Sequence, residues 1–464
     1  MANETRRRKE PTPAKRRRPT TLHDIPDHFL KRVILRLDSQ LCLVRAAAVC
    51  KRWRRIAASP GVADYNFSYR YPGNYVLGYY HAVDDSSNRR APPQPDGSLV
   101  LDPASPAPRR PLVFVPASPA INVRHFSLDF LPDAAGHRRR RWELVDGRGS
   151  LLLFADQRRG FFPDLVVCEP ISRRYVRIRP VKEMKYLRYL GVFLANNSGF
   201  SRNVSFSDFR VTCVLYERSP GMADDVGEAV SCFYNRAPRS RRRITGWNTQ
   251  CVVTSSCILL HGAESTHYAG RAAGLVFWVV GDDDGTVLAA SIDQSGFRRY
   301  RLPEHLWGSS QPGSSFRFVE ESVDVYPRLV RLVSLVGDEL RVYLGNLYNS
   351  SEWQLERTLQ MSQVTRGLKG YKECFFATTV KIVGEGPGYV VMTPAEEETW
   401  LFSLDLRTMR VERDHSRNRL PGKVYTYELE TPPVVRACVV RCKRFGRGPL
   451  WRGLGRCSHI CICA

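Results

Sequence analysis

The sequence predicts an α+β chain of two unlike parts, a short three-helix domain followed by a larger all-β domain built as a degenerate β-propeller. Apolar residues recur at helical spacing between residues 22 and 57. From about residue 112 to 440 the sequence changes to short β-rich runs separated by turn residues. Between them, residues 88 to 110 are rich in Pro, Asp, Ser and Arg and show little periodicity, which is typical of a loop.

Three short helices are predicted in the first part. Pro26 suits the first turn of a helix, where a missing N–H needs no partner, and Asp24 is a candidate cap. A second helix can start at Asp38 or Ser39. The apolar stripe of the first helix comprises Phe29, Leu30, Val33, Ile34 and Leu37, and a third helix presents Val49, Trp53, Ile56 and Ala57. Because roughly forty residues cannot enclose this much apolar surface, the helices are expected to complete their core against another protein.

This segment resembles an F-box. The family pattern has Leu-Pro, Ile-Leu, Leu-Pro and Val-Cys-Lys-x-Trp in this order, and the chain supplies Ile25-Pro26, Val33-Ile34, Leu37-Asp38 and Val49-Cys50-Lys51-Arg52-Trp53. Asp38 replaces a turn proline. The resemblance implies that the helices bind a Skp adaptor and, through it, a cullin, by way of Leu22, Ile25, Pro26, Phe29, Leu30, Val33, Ile34, Leu37, Val44, Val49, Cys50 and Trp53. A small bundle that packs only on its own chain is the alternative.

The β-rich part has a regular pitch. Its clearest runs begin 60, 64, 65 and 49 residues apart, at Leu151, Val211, Leu275, Leu340 and Tyr389. This pitch is close to the roughly 50 residues of a kelch-like propeller blade, in which four short strands form each blade. A pair of β-sandwiches is the alternative architecture.

A second, less specific resemblance covers most of this part. The strand-turn-strand phrase Asp164 to Tyr175 is similar to a strand pair of plant F-box-associated domains, and Leu302-Pro303 after Ile292-Asp293 is similar to the blade ending of that family. Together the resemblances imply a plant-type F-box protein. The predicted boundaries are a disordered basic tail at 1–20, the F-box at 21–60, a linker and long loop at 61–111, the β domain at 112–441, and a basic cysteine-containing tail at 442–464.

The N-terminal tail carries two basic clusters. They flank Pro11 and Pro13 in a segment too polar to fold, and are typical of a bipartite-like nuclear import signal composed of Arg6, Arg7, Arg8, Lys9, Lys15, Arg16, Arg17 and Arg18. The chain as a whole has a net charge of +24. A solubilising or RNA-binding tail is the alternative, so the expected location is the nucleus, the cytoplasm or both.

Motifs of catalysis are missing from the sequence. It has no His-Glu-x-x-His pair, no Gly-x-Ser-x-Gly elbow and no phosphate loop, and no apolar run of about 20 residues that would span a membrane. Asp282-Asp283-Asp284-Gly285 lacks the further oxygen ligands that calcium needs and is typical of a hairpin turn. No catalytic residue, metal or cofactor is therefore predicted.

Two features leave alternatives open. The first is a pair of arginine runs, Arg138 to Arg141 and Arg239 with Arg241, Arg242 and Arg243, and runs of this kind usually face solvent. Nucleic-acid binding would need these arginines to converge with stacking aromatic residues. An acidic protein partner is at least as consistent with them. At the C-terminus, Cys438, Cys442, Cys457 and Cys461, with His459 nearby, have a spacing that zinc permits. The last four residues, Cys461-Ile462-Cys463-Ala464, approximate a prenylation box, although Cys463 stands where an aliphatic residue is usual. A plain tail is the alternative to both.

These observations favour a non-catalytic substrate receptor of a Skp–cullin–F-box ubiquitin ligase. The F-box would hold the adaptor, and the β domain would hold an unidentified target protein near a charged ubiquitin carrier. The alternative is a basic nuclear protein associated with nucleic acid or chromatin, whose N-terminal helices serve only for packing.

Overall fold

The computed structural model describes residues 25–37, 40–59, 61–62, 65, 75–83, 112–119, 121–132, 142–156, 162–181, 187–196, 204–218, 226–236, 246–248, 259–261, 266–280, 285–292, 296–307, 316–320, 329–346, 349–376 and 379–429. These residues fall into two compact units, with the boundary between Pro72 and Gly73. The first unit is helical and the second is all β apart from short helical turns, which confirms the predicted fold class.

The first unit contains three helices in its described part, α1 (Asp27–Leu35), α2 (Gln40–Val49) and α3 (Lys51–Ala57). The second helix was expected to start at Asp38 or Ser39; among the described residues it begins at Gln40. Val49 was expected on the third helix, but it is the last residue of α2, because Cys50 is extended and interrupts the helical backbone there.

The second unit is built from short strands. In chain order they are β1 (Tyr75–Val83), β2 (Leu112–Pro116), β3 (Trp142–Arg148), β4 (Leu151–Asp156), β5 (Leu165–Glu169), β6 (Arg174–Ile178), β7 (Arg188–Ala195), β8 (Phe209–Arg218), β9 (Val226–Arg236), β10 (Gly246–Asn248), β11 (Leu259–His261), β12 (Thr266–Ala272), β13 (Leu275–Val280), β14 (Thr286–Ser291), β15 (Phe297–Arg301), β16 (Phe316–Val319), β17 (Leu329–Val336), β18 (Glu339–Asn346), β19 (Asn349–Gln360), β20 (Val380–Gly386), β21 (Tyr389–Pro394), β22 (Phe402–Asp405), β23 (Arg410–Glu412) and β24 (Gly422–Leu429). Two single-turn helices, α4 (Glu304–Trp307) and α5 (Met361–Val364), lie between strands.

The strands form antiparallel blades in the order of the chain. Blade 1 is β3 to β6, blade 2 is β7 to β11, blade 3 is β12 to β15, blade 4 is β16 to β19 and blade 5 is β20 to β23. Blades 3 and 4 share one parallel pairing, Gly270 with Phe318. Gly270 has φ +117°, and a Cβ there would lie 2.1 Å from the Phe318 carbonyl oxygen, so only glycine fits this close approach of two blades.

A sixth sheet closes the ring. Its central strand is β1, which pairs with β2 on one side and with the last described strand, β24, on the other. This closing sheet packs on blade 5 through Tyr79 and Val391 and on blade 1 through Tyr427 and Phe154. Apolar clusters also join each remaining pair of consecutive blades. The β domain is therefore a propeller-like ring, and its core is a set of seams between blades.

The predicted boundaries missed one strand. The stretch expected as a linker, residues 61–111, contains β1, because a buried apolar strand stands there between segments of loop composition. The β domain accordingly begins before residue 75. The predicted end at residue 441 and both predicted tails lie outside the described residues.

Ring closure gives the first testable prediction. A chain that ends after Leu420 lacks β24, whereas a chain that ends after Thr431 retains it. The shorter chain should be largely aggregated, because β1 loses one of its two partner strands and Tyr427 leaves the seam with blade 1. Gel filtration and thermal unfolding measure the difference. A soluble, cooperatively unfolding shorter chain would contradict the closed ring.

Candidate functional site

The three N-terminal helices enclose a small apolar core. Leu30 and Ile34, one turn apart on α1, are buried against Leu43 and Ala47 of α2 and Ile56 of α3. Pro26 lies at the cap of α1, and its carbonyl oxygen accepts from the amides of Phe29 and Leu30. The predicted cap Asp24 lies outside the described residues. These contacts set the rotation of α1 and thereby decide which of its side chains reach the surface.

An ion pair joins the first and third helices. Arg52 Nε donates to Asp27 Oδ1 over 2.7 Å, and its guanidinium also donates to the carbonyl of Ile25. Asp27 stands in the first turn of α1, where its negative charge also favours the helix N-terminus. Because this pair is partly exposed, it contributes mainly to orientation and little to stability.

A set of apolar side chains remains exposed on these helices. Phe29 is 49% exposed and Val33 is 48% exposed, and the two are four residues apart and therefore share one face of α1. Val49, the end of α2, is 65% exposed. Burial of such side chains is favourable by roughly 1.5–3 kcal/mol each, so these helices leave substantial apolar surface for a partner.

The twelve predicted contact residues divide between surface and interior. Leu30 and Ile34 are enclosed within the helices; Ile25, Leu37, Cys50 and Trp53 are half-buried; Pro26, Phe29, Val33 and Val49 are exposed. Leu22 and the side chain of Val44 lie outside the described residues. Periodicity alone did not separate the inner from the outer members of the stripe, because both recur at helical spacing.

Residues 22–63 match the family model described as the F-box domain. The chain therefore carries an F-box. The match spans α1, α2 and α3 and lies within the first unit.

Comparison with solved structures adds no functional argument for the β domain. Two structures of AztD from Citrobacter koseri align with this chain. The one described as apo has 9% identity and a TM-score of 0.24, over 62% of this chain and 62% of its own. The other has 10% identity and a TM-score of 0.25, over 63% of this chain and 64% of its own. The apo structure of the AtxE2 isopeptidase aligns with 8% identity and a TM-score of 0.22, over 64% of this chain and 41% of that chain. The chain spans less than two thirds of each. No curated relative matches it.

The inner strands of the β domain carry a largely buried ion-pair cluster that no local sequence pattern predicted. Asp146 on β3 accepts from the amide of Leu194 on β7 over 2.6 Å and pairs with Arg271 on β12 over 3.2 Å. Arg271 also donates to the carbonyl of Leu194 over 2.7 Å. Three blades thus meet at one carboxylate and one guanidinium. These residues lie far apart in the sequence, and no local pattern marks them.

Two further ion pairs extend this cluster to other blades. Arg148 on β3 pairs with Glu320 over 3.4 Å, and Arg317 on β16 pairs with Glu385 on β20 over 3.6 Å. Burial raises the pKa of Asp146, and the charge of Arg271 and the amide of Leu194 oppose this effect. Burial likewise lowers the pKa of Arg271. The inner part of the ring therefore holds paired charges of both signs, an arrangement that favours alignment of the blades over binding of one kind of ion.

The remaining predicted features lie mostly outside the described residues. This holds for the import clusters at 6–9 and 15–18, the C-terminal cysteines, the Asp282 to Asp284 turn and both basic runs. The strands that flank the Asp282 turn, β13 and β14, do pair as a hairpin. Among the described residues, none of the helices has the length and apolar character required to cross a membrane.

The ion-pair cluster generates a stability prediction. Asp146→Asn should lower the free energy of unfolding by about 3 kcal/mol or more, because Arg271 would remain buried without its negative partner. Glu398→Gln, which removes an exposed partner of Lys381, is the matched control and should cost less than about 1 kcal/mol. Urea unfolding measures both. Equal, small losses would show that the cluster contributes little to stability.

Proposed function

We propose that this protein is the substrate-recognition subunit of a Skp–cullin–F-box ubiquitin ligase. In this role the F-box binds the Skp adaptor and, through it, the cullin, while the β domain holds a target protein. The observation that carries the proposal is the F-box match over residues 22–63 together with the exposed apolar side chains Phe29, Val33 and Val49 on its helices.

The mechanism is proximity. A receptor of this kind needs no catalytic group, because tethering a target raises the local concentration of its lysines near a charged ubiquitin carrier. The β domain suits target binding, since loops and edges on a rigid ring can vary without disturbing the seams that hold the blades together. By resemblance we further propose a plant-type protein with a kelch-like F-box-associated domain, and the antiparallel blades of the ring support the blade architecture of that proposal.

Substitution of exposed residues tests adaptor binding. Phe29→Asp with Val33→Asp should abolish retention of a purified Skp adaptor, because both side chains lie on the accessible face of α1. Leu30 and Ile34 are unsuitable for this test, because charges at these buried positions would unfold the F-box itself.

Lys31→Asp provides the matched control. Like the Phe29/Val33 double variant, it lowers the net charge by two. Lys31 is exposed on the side of α1 away from Phe29 and Val33. This variant should retain the adaptor. Undiminished retention by the Phe29/Val33 double variant, with circular dichroism unchanged, would refute the proposed adaptor interface.

We also propose that the basic clusters of the tail direct the protein to the nucleus. Residues 1–20 fused to a cytosolic fluorescent protein should concentrate it in the nucleus, and replacement of Lys15, Arg16, Arg17 and Arg18 by Ala should reverse this. Fluorescence microscopy measures the ratio of nuclear to cytosolic signal. An even distribution of the unmutated fusion would favour a cytosolic ligase.

A further inference from the structure

Two arginines border the exposed apolar residues of α1. Arg32 and Arg36 are both exposed, and among the described residues neither of them forms an ion pair. Arg32 follows Phe29 by three residues and Arg36 follows it by seven, so both arginines lie on the Phe29 side of the helix. We refer to Phe29, Arg32, Val33 and Arg36 together as the α1 flank. It combines two apolar and two basic side chains on one exposed surface.

The helix itself gains little from this pair of arginines. Like charges four residues apart on a helix repel, so Arg32 and Arg36 are unfavourable neighbours in the absence of an anion. Their place at the C-terminal end of α1 offsets part of this repulsion, because positive charge is favoured there. Asp27, the acidic residue of α1, is already paired with Arg52 and Arg55 of α3. A carboxylate from another molecule would supply what the α1 flank lacks.

The charge of the surrounding segment acts in the same direction. Residues 25–62 contain eight Lys or Arg and two Asp, which gives a net charge of +6. A binding partner of opposite charge is steered toward such a surface during diffusional encounter. Charges at the rim of an interface act mainly on the association rate and on its dependence on salt.

The apolar half of the α1 flank distinguishes between anionic partners. A nucleic acid would contact the arginines through its phosphates, but a sugar-phosphate backbone provides no apolar cover for Val33. The ring of Phe29 already contacts that of His28, with ring centres 4.3 Å apart, which leaves less of it open to a stacking base. A folded protein surface combines an apolar centre with a polar rim and can cover both halves of the flank.

We propose that the surface of the Skp adaptor that covers Phe29 and Val33 carries acidic side chains opposite Arg32 and Arg36. The proposal rests on the proposed function and deepens it, because it assigns a chemistry to the rim of the adaptor's binding surface. Burial of the two apolar side chains supplies the affinity, and the arginines set the rate and the register of docking.

Association kinetics test the proposal on the full chain with a purified Skp adaptor. Biolayer interferometry measures the association and dissociation rates at low and at high salt. R36E should slow association about tenfold, because the introduced carboxylate repels the acidic rim of the adaptor. R32E/R36E should slow it further, and added salt should narrow the difference from the unmodified chain.

K31E is the matched control. It makes the same change of charge on the same helix, but Lys31 lies on the other side of α1, where its Nζ would be 3.7 Å from a Cβ placed on Gly61. Its association rate should differ from that of the unmodified chain by less than about threefold. Equal rates for R36E and K31E, with circular dichroism unchanged, would overturn the proposal, because Arg36 would then contribute only to the net charge.

Zero-length cross-linking identifies the group opposite Arg36. R36K keeps the positive charge and supplies an amine, which a water-soluble carbodiimide joins as an amide to a carboxylate in direct contact, while the reagent takes up the water that is released. Mass spectrometry of the complex should find this amide between the side chain introduced by R36K and an Asp or Glu of the adaptor, and none from Lys31. A link from Lys31 alone, or from neither position, would overturn the proposal. This variant also provides the test should R36E fail to fold.

The proposed function and the acidic rim fail separately in these experiments. If the unmodified chain does not retain the adaptor at any salt concentration, the proposed function itself is wrong. If it retains the adaptor but R32E/R36E associates at an unchanged rate, only the acidic rim is wrong. If R32E/R36E instead loses binding of a single-stranded RNA while its adaptor kinetics are unchanged, the α1 flank is a nucleic-acid surface and the proposal is overturned.

Discussion

The β domain depends on a strand pairing between the two ends of its described chain. Strand β24 pairs with β1 in antiparallel register from Tyr75 opposite Leu429 to Val83 opposite Gly422. At its centre, Tyr80 packs between Phe114 and Tyr427, with ring centres 4.9 and 5.8 Å away, and its hydroxyl donates to the carbonyl of Phe126. This pairing can form only when the chain between β1 and β24 is ordered, which costs conformational entropy. The ring is therefore expected to form when the blades fold together.

Closure also explains how the two units differ at their surfaces. In the ring, each blade covers the apolar face of the next, and the closing sheet covers the two faces that would otherwise remain open. The inner strands carry paired charges such as Asp146 and Arg271, whose interactions cross from blade to blade. The F-box has no such closure, because its three short helices enclose Leu30 and Ile34 but leave Phe29 and Val33 outside. The helices therefore keep apolar side chains at their surface that their own core does not cover.

The sequence predicted the elements whose signal is local. Helical spacing located α1, and the pitch of apolar runs located the blades: four of the five runs form the second strand of their blade, as β4, β8, β13 and β21 do. The run at Leu340 is β18, the third strand of blade 4, which is why the pitch after it shortened to 49 residues. Strand β1 was missed because its pairing with β24 involves residues more than three hundred positions away.

Contacts between side chains of different blades could not be predicted from local patterns. Arg174, Phe206 and Arg236 lie in three separate segments, and only the packing of blade 1 on blade 2 brings them together. Phe206 belongs both to the apolar seam and to the surface on which the arginines lie. A substitution at Phe206 that loosens the seam would therefore also release both guanidiniums from the ring they lie over.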